Sequence, residues 1–208
     1  MLFTTLTQSF TIIILRQGTK MIKKIKRLLL FGLLLFFTAC GTERRNEIDT
    51  TRGFDMWEYM TSTLDYEVQY NIYVNNGKVD EYSETNRVFD NGNTYERRST
   101  NDRTTLYLNG RSISMKEPSR DVEIERYVHL NDKNVFRGNS IDMCVIERFY
   151  PIYDIKSWTF ENVLMVGCTS KSGVKQEFYY GYNEGIVAIY EEDGDSTKEY
   201  VKVKEKRL

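Results

Sequence analysis

LDYEVQYNIYV, residues 64–74, alternates without a break: Leu64, Tyr66, Val68, Tyr70, Ile72 and Val74 supply apolar side chains, with Asp65, Glu67, Gln69, Asn71 and Tyr73 between them. Successive side chains of a strand point to opposite faces, so this period of two predicts a β-strand with one dry face and one largely wet face. Asn75-Asn76-Gly77 follows, three residues that tolerate positive backbone angles, and residues 78–89 return as a more polar strand. The first expectation is therefore a long hairpin.

Downstream, the same pattern repeats. Turn residues at 90–93, 101–103 and 109–110 separate short strands around 95–98, 104–108 and 111–116, and Pro118 ends the last of these or marks a bulge at its edge. Turns this close leave no room for crossover helices, so the strands run as an antiparallel meander. Residues 121–130 alternate again, but Arg126 interrupts the apolar series; its stem is expected to cover the face while the guanidinium reaches an acidic partner. Residues 131–140 read as a polar loop with Phe136 as a plug, and 141–149 as the next strand. Residues 151–158, with Tyr153, Ile155 and Trp158, read as a packed crossover, and strands at 160–168, 174–180, 186–191 and 199–203 complete the series.

Upstream, Asp55 stands three residues before Glu58, the spacing of a helix N-cap, which predicts a short helix through Met60 with Phe54, Trp57 and Met60 near one face. Its expected role is to cover an open end or edge of the sheet. About ten strands and one short N-terminal helix predict an all-β fold, an antiparallel meander forming a barrel or a strongly curved half-barrel. A membrane-spanning barrel fits worse, because charged residues interrupt most of the apolar series that would face lipid.

The segment MIKKIKRLLLFGLLLFFTAC, residues 21–40, sets a basic group ahead of an apolar run at 28–39, the layout of a secretory signal and too short for a comfortable bilayer crossing. Its end, Phe37-Thr38-Ala39-Cys40, resembles the lipobox of bacterial lipoproteins, with Phe37 where Leu is more usual. The resemblance implies cleavage before Cys40, acylation of its thiol and attachment to a membrane. Residues 1–20 precede a complete signal and are expected to be an upstream gene-model extension, with 21–39 the signal, 40–53 the lipidated cysteine and a flexible tether, and 54–208 a single β-rich domain. Gly41 occupies the place of the retention aspartate of such lipoproteins, which implies the outer membrane with the domain facing the periplasm. FYYGYNEGIVAIYEED, residues 178–193, is similar to the closing hairpin of curved-sheet envelope lipoproteins; in the lipoprotein-carrier family such a sheet would accept acyl chains on its inner surface.

Charge excludes one class of partner. The whole chain has 29 basic and 30 acidic residues, but six of the basic ones and none of the acidic ones precede Cys40, leaving 23 against 30. No nucleic-acid footprint exists in such a domain. All 15 tyrosines and both tryptophans follow Cys40, as strand-rich structure favours.

Catalytic signals are few. His129 is the only histidine, which excludes a multi-histidine metal site or a histidine relay within the chain, and its place among strand residues reads as structural. The acidic run 191–195 reads as a hairpin turn, not a calcium loop, and Glu96-Arg97-Arg98 and the tail Lys202, Lys204, Lys206 and Arg207 read as a wet strand face and a fraying terminus. A hydrolase built on carboxylates such as Glu147 or Glu177 ranks last. With Cys40 committed to lipid, Cys144 and Cys168 remain, on strands whose neighbourhood and export to an oxidising compartment predict a disulfide. The expectation is a non-enzymatic envelope lipoprotein, a binding or structural adaptor for an envelope protein or cell-wall partner, with no metal and no cofactor. The alternative is a carrier of a hydrophobic or acyl ligand within the curved sheet. Trp57, Tyr66, Tyr70, Tyr180 and Tyr182 are the candidate contact residues. A carrier needs a continuous apolar cavity, whereas an adaptor is packed solid.

Overall fold

The expected first hairpin is β2 (Tyr66–Val74) and β3 (Gly77–Phe89) in a computed structural model that describes residues 48–138, 143–170 and 173–208. Asn75 and Asn76 make the turn with φ of 47° and 69°, the positive angles for which asparagine is suited. The leader, Cys40 and the first part of the tether lie outside the described residues. Ile48, the first described residue, packs against the core, and Asp49 accepts the Thr51 N–H to cap a single 3-10 turn.

Ahead of that hairpin, β1 (Phe54–Asp55) runs into α1 (Met56–Met60). After it come β4 (Thr94–Arg98), β5 (Arg103–Asn109), β6 (Ser112–Glu117), β7 (Arg120–Glu125), β8 (Tyr127–Val128) and β9 (Phe136–Gly138). Five more follow: β10 (Met143–Ile155), β11 (Trp158–Thr169), β12 (Lys175–Gly181), β13 (Gly185–Asp193) and β14 (Ser196–Arg207). Twelve of these form one antiparallel sheet in the order β10-β11-β12-β13-β14-β2-β3-β4-β5-β6-β7-β9. The fold is all-β and nearly closed into a barrel, as the meander pattern predicts. The basic tail does not fray: β14 extends to Arg207, which is paired with Tyr66.

Closure is completed by the segment between β8 and β9. Asn131 donates its N–H to the Ile146 carbonyl at 2.7 Å, Ile146 to Asp132 at 3.1 Å and Asn134 to Cys144 at 3.0 Å, so this loop serves as a partner for the edge of β10. One residue on, the Val135 carbonyl accepts from Glu125 at 2.9 Å, and β9 then pairs with β7. A loop thus satisfies backbone groups on both edges of the sheet. Phe136, expected as a plug, is buried in the interior.

Two expectations need correction. Residues 121–130 do not form one strand: β7 stops at Glu125, and β8 leaves the large sheet to pair with β1, Phe54 opposite Val128. Arg126 sits at the break and meets its acidic partner, Asp55. Residues 151–158 do not form a crossover either. β10 continues through Pro151 to Ile155, a two-residue turn holds Lys156 at φ 55°, and β11 returns beside it. Proline is tolerated there because β10 is an edge strand of the sheet.

The outer half of this β10–β11 hairpin folds back over the outside of the barrel. Asn162 at φ 53° breaks the alternation of β11, so that Val163 and Phe160, three residues apart, join one apolar cluster with Met165, Tyr179, Val187 and Ala188. Tyr150 and Tyr153 pack against this cluster from β10, with the Tyr153 and Tyr179 rings stacked 4.5 Å apart. At the tip, Lys156 Nζ lies 2.7 Å from Glu199 Oε2, 3.0 Å from Asn76 Oδ1 and 4.8 Å from the centre of the Tyr73 ring. The barrel wall over β12–β14 is therefore two layers thick.

The main core fills the barrel. Val68 and Tyr70 from β2, Ile113 from β6, Ile124 from β7 and Leu164 and Val166 from β11 are buried there. One end is plugged by α1: Asp55 caps it by accepting the Trp57 N–H, and Glu58 O accepts the Asn183 N–H in the β12–β13 turn at 2.6 Å. The buried face of α1 is Met56, Tyr59 and Met60, at i, i+3 and i+4, with Trp57 only half-buried.

Candidate functional site

The turns β2–β3, β4–β5 and β13–β14 gather at the end opposite α1, and one side of the barrel's interior is polar. Alternation along β3 points Tyr82, Glu84 and Asn86 inward, and the register places Asn86 opposite Arg97 of β4 and Tyr70 of β2 opposite both Tyr82 and Lys202 of β14. Four adjacent strands thus line one wall with charged and phenolic groups, while β5–β7 and β11–β13 line the other mainly with apolar ones.

Glu84 is the centre of that wall. Its Oε1 is 3.0 Å from the Tyr70 hydroxyl, which is also 3.0 Å from the Ile186 carbonyl, and its Oε2 is 3.8 Å from Arg97 Nε. Burial pushes the Glu84 carboxyl above its ordinary range, and Arg97 and Tyr70 only partly oppose this. Burial alone would lower the Arg97 guanidinium, but Glu84 and the tyrosines around it hold it above its usual value and charged. The Tyr70 hydroxyl is raised far above the phenol range, chiefly by burial. Beside this group Lys202, 5 % exposed, sits 3.1 Å from Glu184 Oε2 and 2.5 Å from Glu205 Oε2. Each buried charge therefore has an opposite charge close by.

Two spaces adjoin Arg97. One, of about 140 Å³, reaches from Met60 and Phe136 past Phe178 to the rim at Gln176 and Ser170. The other, of about 130 Å³, lies toward Tyr82, Glu84, Ser99 and Asp102. On the outside, a shallow groove of about 600 Å³ runs over β6 and β7, lined by Arg111, Glu123, Tyr127 and Arg137, with Arg137 paired to Glu125.

No family model and no curated protein matches this chain.

The aromatic residues singled out in the sequence do not form one site. Tyr180 lines the interior space, and Tyr70 is buried and stacked 4.9 Å from Tyr82. Tyr66 is half-buried in the barrel opposite Asn86. Trp57 and Tyr182 belong to the plugged end, where Tyr182 meets Tyr59 edge-on at 5.6 Å.

Cys144 and Cys168 face each other across β10 and β11 with their sulfurs 2.04 Å apart, a disulfide that links the edge strand to its neighbour beside the closing loop. His129 is exposed, 3.7 Å from Asp132, and lies against Gly53. Glu147 packs over Gly167, whose cross-strand partner is Glu177, but the Glu177 carboxylate is taken by the Tyr179 hydroxyl at 2.5 Å. Among the described residues, no three histidine, cysteine, aspartate or glutamate side chains gather as metal ligands.

Arg97, Glu84 and Lys202 were missed as interior residues. The signal for Arg97 was its position two residues after Tyr95, which puts both on the inward face of β4.

Proposed function

We propose that this chain is a lipid-anchored protein of the bacterial cell envelope, held through Cys40 in the outer membrane and facing the periplasm, and that its barrel is a non-enzymatic binding or structural adaptor. The anchor rests on the basic segment, the short apolar run and Cys40 at its end. The adaptor reading rests on one observation: the barrel is filled by side chains and plugged by α1, leaving interior spaces of about 140 and 130 Å³. Pockets for drug-sized ligands begin at about 300 Å³, and a long acyl chain needs a continuous apolar tunnel. The outer groove at Arg111, Tyr127 and Arg137 offers tyrosine and arginine, the residues enriched at protein interfaces, for an envelope protein or cell-wall partner.

The experiment is native purification from membranes followed by extraction and mass spectrometry of non-covalent lipid. The expected result is far less than one acyl molecule per chain, and a stoichiometric acyl ligand overturns the adaptor reading in favour of a carrier. The anchor is tested apart from it. Labelled fatty acid should enter the natural chain and fail to enter Cys40→Ala; equal labelling of both would remove the anchor.

A further inference from the structure

Arg97 lies at the boundary of the two interior spaces, which share Arg97, Thr104, Ile186 and Ile189. Its side chain is 26 % exposed, so most of it is out of bulk water. A guanidinium has five N–H donors, and such groups are ordinarily matched when buried. Here its ion-pair partner, Glu84 Oε2, is 3.8 Å from Nε, beyond hydrogen-bond reach. Because Glu84 approaches Nε, the terminal amino groups lie farther from that carboxylate.

What surrounds Arg97 narrows the ligand. The inner space has an apolar floor of Met60, Leu106, Met115, Phe136 and Phe178. Its volume of about 140 Å³ is close to that of an engineered protein cavity that takes benzene. A planar fork that its own ion-pair partner does not hydrogen-bond suits a carboxylate, which it grips through two parallel bonds, and a floor of hydrocarbon suits an apolar substituent. We infer that the barrel mouth is a binding site for a small free monocarboxylate, its carboxylate on Arg97 and its short aliphatic or aromatic group on Met60, Leu106, Met115 and Phe178. This inference goes beyond the adaptor role and does not depend on the lipid anchor, because every residue it uses belongs to the barrel or to α1, its plug.

Calorimetric titration of the full chain in a non-ionic detergent, with detergent-only blanks, tests the site with three probes. 4-Methylpentanoate should bind saturably at one per chain, and its amide at least tenfold more weakly. Palmitate should not bind; stoichiometric palmitate binding would overturn the adaptor reading, while failure of the short acid overturns the present one. Arg97→Gln should weaken the short acid by at least tenfold, and Met115→Trp, which fills the floor, should abolish its binding. Thermal melts establish that each variant is folded. Equal affinity for acid and amide, which needs no variant, would overturn the site, as would unchanged binding in folded Arg97→Gln and Met115→Trp.

Discussion

The Asp55 carboxylate accepts the Trp57 N–H at 3.0 Å and grips the Arg126 guanidinium at 2.7, 2.9 and 3.0 Å, so one side chain both starts α1 and anchors the point where β7 gives way to β8. The plug at the barrel's end is therefore tied to its wall by residues 71 apart in sequence.

Removing Asp55 should show both roles. Loss of an N-cap costs about 1 kcal/mol and loss of charge-assisted bonds about 1.5–3 kcal/mol, so Asp55→Ala should lower stability by roughly 2–4 kcal/mol in urea unfolding. Asp55→Asn keeps the cap and should lose less. In a double-mutant cycle with Arg126→Ala, a coupling near zero would show that the ion pair is idle.

The disulfide offers a second measurement. Cys144 and Cys168 are 24 residues apart, and closing a loop of that size corresponds to about 3–4 kcal/mol in the chain-entropy account. The Cys144 carbonyl also accepts from Asn134 in the closing loop, so Cys144→Ser with Cys168→Ser should speed amide exchange at Asn134 more than at β2. Free, alkylatable thiols in native protein would remove the premise.

Glu84 should give a pH signature. Its folded pKa lies above the unfolded value, so between the two the folded state binds more protons and stability falls as pH rises through that window. The contribution is fully present below the ordinary value of 4.5 and lost above the folded pKa. In urea melts from mildly acid to neutral pH, Glu84→Gln should lose this fall, so that it gains on the natural protein toward neutrality. A constant difference at every pH would contradict the assignment.

The outer hairpin is the fourth test. Tyr179 is 7 % exposed and stacked on Tyr153, and deletion of a buried aromatic side chain costs about 3–5 kcal/mol, which sets the expectation for Tyr179→Ala. Lys156→Ala, at the tip, should cost about 1 kcal/mol or less globally while accelerating exchange from Ile155 to Trp158. Comparable global losses for both would mean that the tip, not the aromatic cluster, holds the hairpin down.

Local chemistry made most of the wall legible and left the interior partly hidden. Alternation in β2, the Asn75-Asn76 turn and the Asp55 cap are decided by near neighbours, and each forms as its residues predict. The 151–158 segment is decided by its cover over Tyr179 and Ala188, which are distant in sequence, so irregular spacing was mistaken for a crossover. Arg97 and Lys202 were hidden for another reason. Period two tells which face a residue occupies, but not that this face of a barrel is enclosed, and charge was read as exposure to water.

The doubled wall over β12–β14 makes the barrel mechanically lopsided. Bending a two-layer slab requires its layers to slide against interlocked tyrosines, whereas the single sheet at β4–β7 bends by twisting alone. The thin wall, which carries Arg97, Thr104, Leu106 and Met115, should therefore exchange its amides faster than β12–β14, a difference that hydrogen exchange reads directly.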